Sequence, residues 1–256
     1  MKQFSFGKII IILIVTLHVA CARQAIIFSD SSAEKTLLTI SSSLPETYIM
    51  TASAQIDLVV PEGHYPARAV VILKKPSYLR LELLPPIGTP EFFLTANPNE
   101  MKILLPGKNE FYSGKPTGHN LSRFLPWQFD VEDILAVLAG AYPPLTGNVN
   151  YSRHPEGENV RIEMKAQSRI EQTVWLGPHG RLIRLVRRDE YGRELYSAEF
   201  ADYDEASPIA GKITLRMSDG GNSITVKYSG LQIEKAKDLS IFDLPVPAGF
   251  KTIILD

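Results

Sequence analysis

The stretch Tyr48-Ile-Met-Thr-Ala-Ser-Ala-Gln-Ile-Asp-Leu-Val-Val60 (YIMTASAQIDLVV) alternates. Met50, Ala52, Ala54, Ile56, Leu58 and Val60 fall on one side, and Thr51, Ser53, Gln55 and Asp57 on the other. A period of two sends successive side chains to opposite faces of a strand, so this segment is a strand with one greasy face. Such a face must be covered, and the neighbouring sequence shows what is available to cover it.

Downstream, Pro61-Glu-Gly-His64 reads as a turn. Residues 67–74 (ARAVVILK) and 78–84 (YLRLELL) are further strands, the second placing Leu79, Leu81 and Leu83 on one face and Arg80 and Glu82 on the other. Residues 91–96 and 101–105 form a hairpin around Asn97-Pro-Asn99. Short strands joined by tight turns pair antiparallel, as in a meander. After a helical interruption the alternation resumes. Val160, Ile162 and Met164 alternate with charges, residues 173–176, 181–188 and 194–203 follow, and 212–218 pairs with 223–229 across Asp219-Gly-Gly-Asn222. The expected class is mainly β, about eleven strands in all, with two helices. One helix lies early, where Leu37, Leu38 and Ile40 follow Ser32 at helical spacing. The other carries Val131, Ile134, Leu135 and Leu138 on one face, with Asp130 as cap, Gly140 as terminator and Tyr142-Pro-Pro144 as stop.

The N-terminus is a targeting segment. Lys2 and Lys8 precede the apolar run of residues 9–17 (IIIILIVTL). That run is shorter than the roughly 20 residues a membrane-crossing helix needs, and it matches the apolar region of an export signal. Two ways of ending the signal compete. Val19-Ala20-Cys21 fits a lipobox, in which Cys21 is lipidated and becomes the first mature residue, although His18 stands where an aliphatic residue is usual. Ordinary cleavage after Ala20-Cys21-Ala22 would leave Arg23 first. Cys21 is the single cysteine of 256 residues, so no disulfide framework exists and an unpaired cysteine in an exported chain needs an explanation. Lipidation supplies one. The expected organisation is a lipoprotein signal peptide over residues 1–20, a tether over 21–33 and one domain over 34–256.

With a formal net charge of -1 and no basic block, nucleic acid is excluded as a partner. Hydrophobic residues make up 45% of the chain, enough for a large core. Catalytic and metal-binding patterns are missing. His64, His154 and His179 sit among Gly and Pro in apparent turns, and His119 follows Gly118, without zinc-ligand spacing. The sequence has no GxSxG, P-loop or dinucleotide fingerprint. Asp130, Glu132 and Asp133 cluster at a helix start, where the macrodipole favours them. Arg184, Arg187 and Arg188 read as a solvated strand face. The expectation is therefore a binding protein, with no enzymatic activity and no cofactor or metal.

The succession of elements resembles the LolA/LolB family of lipoprotein carriers and receptors, and most closely its lipid-anchored LolB-like branch. The likeness is carried by Tyr78-Leu-Arg-Leu-Glu-Leu-Leu-Pro-Pro-Ile-Gly88, by DVEDILAVLAGAYP from Asp130 to Pro143, and by the hairpin region of residues 180–203. PIAGKITL from Pro208 to Leu215 and Phe242-Asp-Leu-Pro-Val-Pro-Ala-Gly249 complete it. It spans most of the chain after the signal.

The resemblance implies an unclosed antiparallel β-barrel whose helices cover an apolar cavity for acyl chains. The residues expected to line it are Ala52, Ala54, Ile56, Leu58, Leu79, Leu81, Leu83, Ile134, Leu138, Ile162, Met164, Leu215 and Val226. It also implies that Ile87, on the loop after an early strand, projects into solvent to enter a membrane; the alternative is that Ile87 simply folds back on the sheet. The implied protein is a monomer anchored through Cys21 to the outer membrane of a Gram-negative bacterium, facing the periplasm. It would accept lipidated proteins or another lipid, from a periplasmic LolA-like carrier, and deliver them to that membrane. The alternative is a scaffold lipoprotein of an envelope assembly or export complex, with the same fold and a filled core.

Overall fold

The computed structural model describes residues 30–41, 43–85, 87–88, 90–125, 129–205 and 207–256. Cys21 and the whole expected signal peptide lie outside the described residues. Among those described, fourteen strands make a single sheet. The first six run as a meander: β1 (Tyr48–Val60), β2 (Gly63–Lys74), β3 (Tyr78–Leu84), β4 (Phe92–Ala96), β5 (Met101–Leu105) and β6 (Glu110–Gly114). The helical interruption follows. A second meander comprises β7 (Val149–Glu156), β8 (Asn159–Ala166), β9 (Glu171–Leu176), β10 (Leu182–Arg188), β11 (Glu194–Ala201), β12 (Lys212–Met217) and β13 (Ser223–Lys235). β14 (Lys251–Ile254) closes the list.

The two meanders are joined through β1 and β13, which pair along nearly their whole lengths. The order is β14-β6-β5-β4-β3-β2-β1-β13-β12-β11-β10-β9-β8-β7. Every pair is antiparallel except β14 with β6. The sheet ends at β14 on one side and β7 on the other. This is the expected mainly β, unclosed antiparallel architecture. Three strands, β6, β7 and β14, add to the predicted set. β7 contains His154-Pro155, which reads as a turn in sequence. It is an edge strand, where a missing backbone N–H costs the ladder little. His154 accordingly sits on a strand rather than in a turn.

The inner face of the sheet builds two cores. The first gathers Met50, Ala52, Ala54, Leu79, Leu94 and Ile103 from β1 to β5. The second gathers Ile162, Met164, Val174, Leu185, Ala198 and Ile213 from β8 to β12. Helix α1 (Asp30–Ser41) covers part of the second core with Ala33, Leu37 and Ile40, all buried. It begins within the segment assigned to the tether. The short α2 (Gly118–Leu121) precedes α3 (Val131–Leu138), which lies between the two cores. Val131 and Leu135 pack in the first, and Val137 in the second.

Both ends of α3 have a physical account. At its start, the Asp130 side chain does not cap its own helix; Oδ1 accepts the backbone N–H of Gly118 at 3.0 Å and ties α2 to α3. At its end, Gly140 adopts φ +69°, as the sequence anticipates. Its N–H reaches Val137 O, and the Ala141 N–H reaches Ala136 O, both at 2.9 Å. That is the paired closure that a left-handed residue after the helix permits. A Cβ at Gly140 would lie 3.3 Å from Ile209 Cγ2, so strain and crowding both favour glycine.

Candidate functional site

The two cores do not meet everywhere. Between them, under α3, the sheet leaves an apolar cavity of about 560 Å³. That volume falls within the range of roughly 300–1,000 Å³ typical of small-molecule sites. β1 contributes Ile56 and Leu58, β3 contributes Leu81 and Leu83, and β12 and β13 contribute Leu215 and Val226. Ile134 and Leu138 of α3 form the roof. The exposed members of the wall, His64, Tyr65, Pro66 and Glu91, come from the start of β2 and the loop after β3, so the cavity opens there.

Eight of the sequence-predicted residues are therefore on the cavity wall. Ala52, Ala54 and Leu79 lie elsewhere, buried in the first core. Ile162 and Met164 belong to the second core, and Met164 also borders a smaller recess of about 260 Å³ beside Lys75 and Glu132. The alternation of a strand gives the face a residue points to. How far along that face close packing extends depends on where α3 crosses, which no local pattern encodes.

Ile87 is 93% exposed. Of the two conformations the sequence left open, the loop holds Ile87 in solvent, adjoining the Pro85 end of the cavity wall.

Sequence reasoning missed the polar part of the wall. Tyr196 on β11 is 2% exposed, and its hydroxyl donates to Asp133 Oδ2 at 3.3 Å. Its ring meets Phe129 edge-on, with centroids 4.6 Å apart. Burial holds the phenol of Tyr196 well above its ordinary pKa. Asp133, on α3, also lines the cavity. Burial raises its carboxyl pKa above the usual range, the Arg187 charge opposes that shift, and Asp130 and Glu132 add to it. The period-two pattern of β11, in which Tyr196, Ala198 and Phe200 all point inward, was the signal for Tyr196.

Arg187 corrects the reading of a solvated basic face. It stands opposite Tyr196 on β11 and Gln172 on β9, and Nη1 donates to Gln172 Oε1 at 2.9 Å. Gln172 is fully buried and passes an N–H on to Pro143 O at 3.1 Å. Alternation along β10 puts Arg187 on the same side as buried Leu185, and the register irregularity follows only between Arg187 and Arg188. Arg184 instead stacks over Trp175, with 5.1 Å from guanidinium to ring centroid.

Among the described residues no three His, Asp or Glu side chains gather as a metal site. No helix of theirs is long and apolar enough to cross a membrane.

The fold is shared with known structures. A LolA superfamily protein from Nitrosomonas europaea aligns with a TM-score of 0.57 at 15% identity, over 83% of this chain and 97% of that one. The protein has a LolA-like fold. A structure described as an outer membrane lipoprotein-sorting protein domain, from Vibrio parahaemolyticus, aligns with a TM-score of 0.58 at 16% identity, over 84% of this chain and 97% of that one. A DUF1329 family protein from Desulfovibrio piger gives 0.59 at 10% identity, over 84% and 97%. No family model matches the chain, and no curated protein does. Identities this low carry the LolA-like fold and nothing finer.

Proposed function

We propose that the protein is an outer-membrane lipoprotein, anchored through Cys21, that takes the acyl chains of lipidated proteins or another lipid into its cavity and delivers them to that membrane. The observation that carries the reading is the open apolar cavity beneath α3. Burying methylene groups is worth roughly 0.8 kcal/mol each, so a chain of about fifteen carbons costs on the order of 12 kcal/mol to expose to water. A ligand of that kind requires an enclosed carrier, and its transfer requires no covalent step. A gradient of affinity from a periplasmic LolA-like carrier to this protein and then to the membrane suffices. The open cavity also supports a carrier over a scaffold, whose interior would be filled.

Purification from native membranes, with mass spectrometry of the N-terminus and of bound lipid, tests both halves of the proposal. The expected result is a diacylglyceryl-modified Cys21 and co-purifying acyl lipid. An unmodified Arg23 N-terminus removes the anchor, and a lipid-free protein removes the carrier.

Ile87 is assigned to the delivery step. An exposed isoleucine that enters a bilayer gains about 1.5–3 kcal/mol on burial. Ile87→Glu is therefore expected to slow transfer of a lipidated protein to anionic vesicles about tenfold or more, with an unchanged melting curve. Equal transfer by mutant and wild type would sink this assignment.

A further inference from the structure

We propose that the cavity prefers apolar chains bearing a neutral hydrogen-bond donor, an amide N–H or a hydroxyl, and that the Asp133 carboxyl is the acceptor that meets it. The inference rests on the cavity being a lipid site and names a chemical feature of its ligand.

Asp133 is out of place among its neighbours. Ile134, Val137 and Leu138 on the same helix present hydrocarbon to the cavity, and so do Leu81 and Val226 across it. His64 and Glu91 also line the space, but both are exposed at the mouth, where water solvates them. An ionisable group set into a greasy wall is costly unless its acceptor capacity is used. Among the described residues that capacity is largely unspent. Tyr196 supplies one hydroxyl proton across 3.3 Å. That is longer than the 2.5–3.0 Å usual between two oxygens, and an ionised carboxylate offers about four acceptor sites.

The other nearby donor group turns at least one of its N–H bonds elsewhere. Arg187 acts on the Asp133 carboxyl through its charge, while its Nη1 donates to Gln172 at 2.9 Å. The same cation makes a second full positive charge unwelcome beside Asp133. A neutral donor satisfies the carboxyl without that repulsion. Burial also raises the pKa of this group, consistent with a site short of hydrogen-bond donors. An apolar chain that enters past Leu58 and Leu83 with such a donor in reach of α3 would complete the site.

The experiment uses the purified mature chain and displacement of an anthroyloxy-labelled palmitate. The competitors are hexadecyl acetate, which has only acceptors, N-hexadecylacetamide, which adds an N–H, and hexadecanol, which adds an O–H. Wild type should favour the amide, the alcohol or both over the ester by about tenfold, the size expected of a hydrogen bond to a charged acceptor. The competitor that gains identifies the donor. Asp133→Leu should abolish the preference. Tyr196→Phe should keep or enlarge it, because it removes the internal donor while sparing the acceptor. If Asp133 and Tyr196 served only to fasten α3 to β11, the two variants would behave alike. Equal affinity of wild type for all three competitors overturns the inference and leaves the lipid site standing. Failure of wild type to bind the labelled palmitate overturns both.

Discussion

Ala67→Trp is expected to lower affinity for a labelled acyl chain by at least about tenfold while moving the melting temperature by no more than a few degrees. Ala67 pairs with Ile56 across β1 and β2 and lies on the cavity wall towards the mouth. In a packed core an indole in place of a methyl group would overlap its neighbours at a cost of about 1–3 kcal/mol or more. Facing an open space of about 560 Å³, the ring has somewhere to go, and it takes volume the ligand would use. The two readouts therefore separate. Fluorescence titration of probe binding, with thermal unfolding on the same samples, gives both. Undiminished binding would mean that acyl chains do not occupy this cavity. Loss of binding with a melting point lowered by on the order of 10 °C would mean that the site around Ala67 is already filled.

The outline of the fold was legible because its signals are local. β1 and β11 each bury one side of a two-residue repeat, and neighbouring strands follow through tight turns. The strands that escaped are short or interrupted. β14 has four residues, β6 ends in Gly114, and β7 contains Pro155 at a sheet edge. Gly114 also shows a constraint invisible from its own neighbourhood. A Cβ there would sit 2.5 Å from Leu255 Cβ, because β14 returns from the C-terminus to lie beside β6.

The site was half legible for the same reason. Leu81, Leu83, Ile134 and Leu138 follow from periodicity combined with the family resemblance, and they do face the cavity. Asp133 was hidden by a sound rule. Acidic residues belong in the first turn of a helix, and Asp133 is in the first turn of α3. The macrodipole accounts for its presence there but not for the direction it points. That direction is set by Tyr196, 63 positions away in sequence. Arg187 was misplaced by the converse error, since a run of arginines suggests one exposed face, whereas alternation puts Arg187 on the same side of β10 as buried Leu185.

The boundary between core and cavity falls within α3, and two leucines one turn apart test it. Leu135 is 1% exposed within the first core, whereas Leu138 is half-buried and fronts the cavity. Leu135→Ala removes side-chain atoms from a buried site in the first core that also borders the smaller recess, and the enlarged void costs about 2–5 kcal/mol. For a domain of this size each kcal/mol corresponds to about 2–4 °C, so the melting temperature should fall by on the order of 10 °C. Leu138→Ala deletes the same atoms beside an existing space, where no new void is created and few contacts are lost. Its expected cost is about 1 kcal/mol, from lost burial alone. The helix end is held besides by the Tyr228 hydroxyl, which donates to Leu138 O at 2.9 Å, a bond that the substitution leaves in place. Thermal unfolding of both variants, with the acyl probe absent and then present, is the measurement. The probe should raise the melting temperature of wild type and of Leu135→Ala, and raise that of Leu138→Ala less, since Leu138 contributes wall. Equal destabilisation by the two substitutions would mean that the space beneath α3 is packed, and that would remove the physical basis for a carrier.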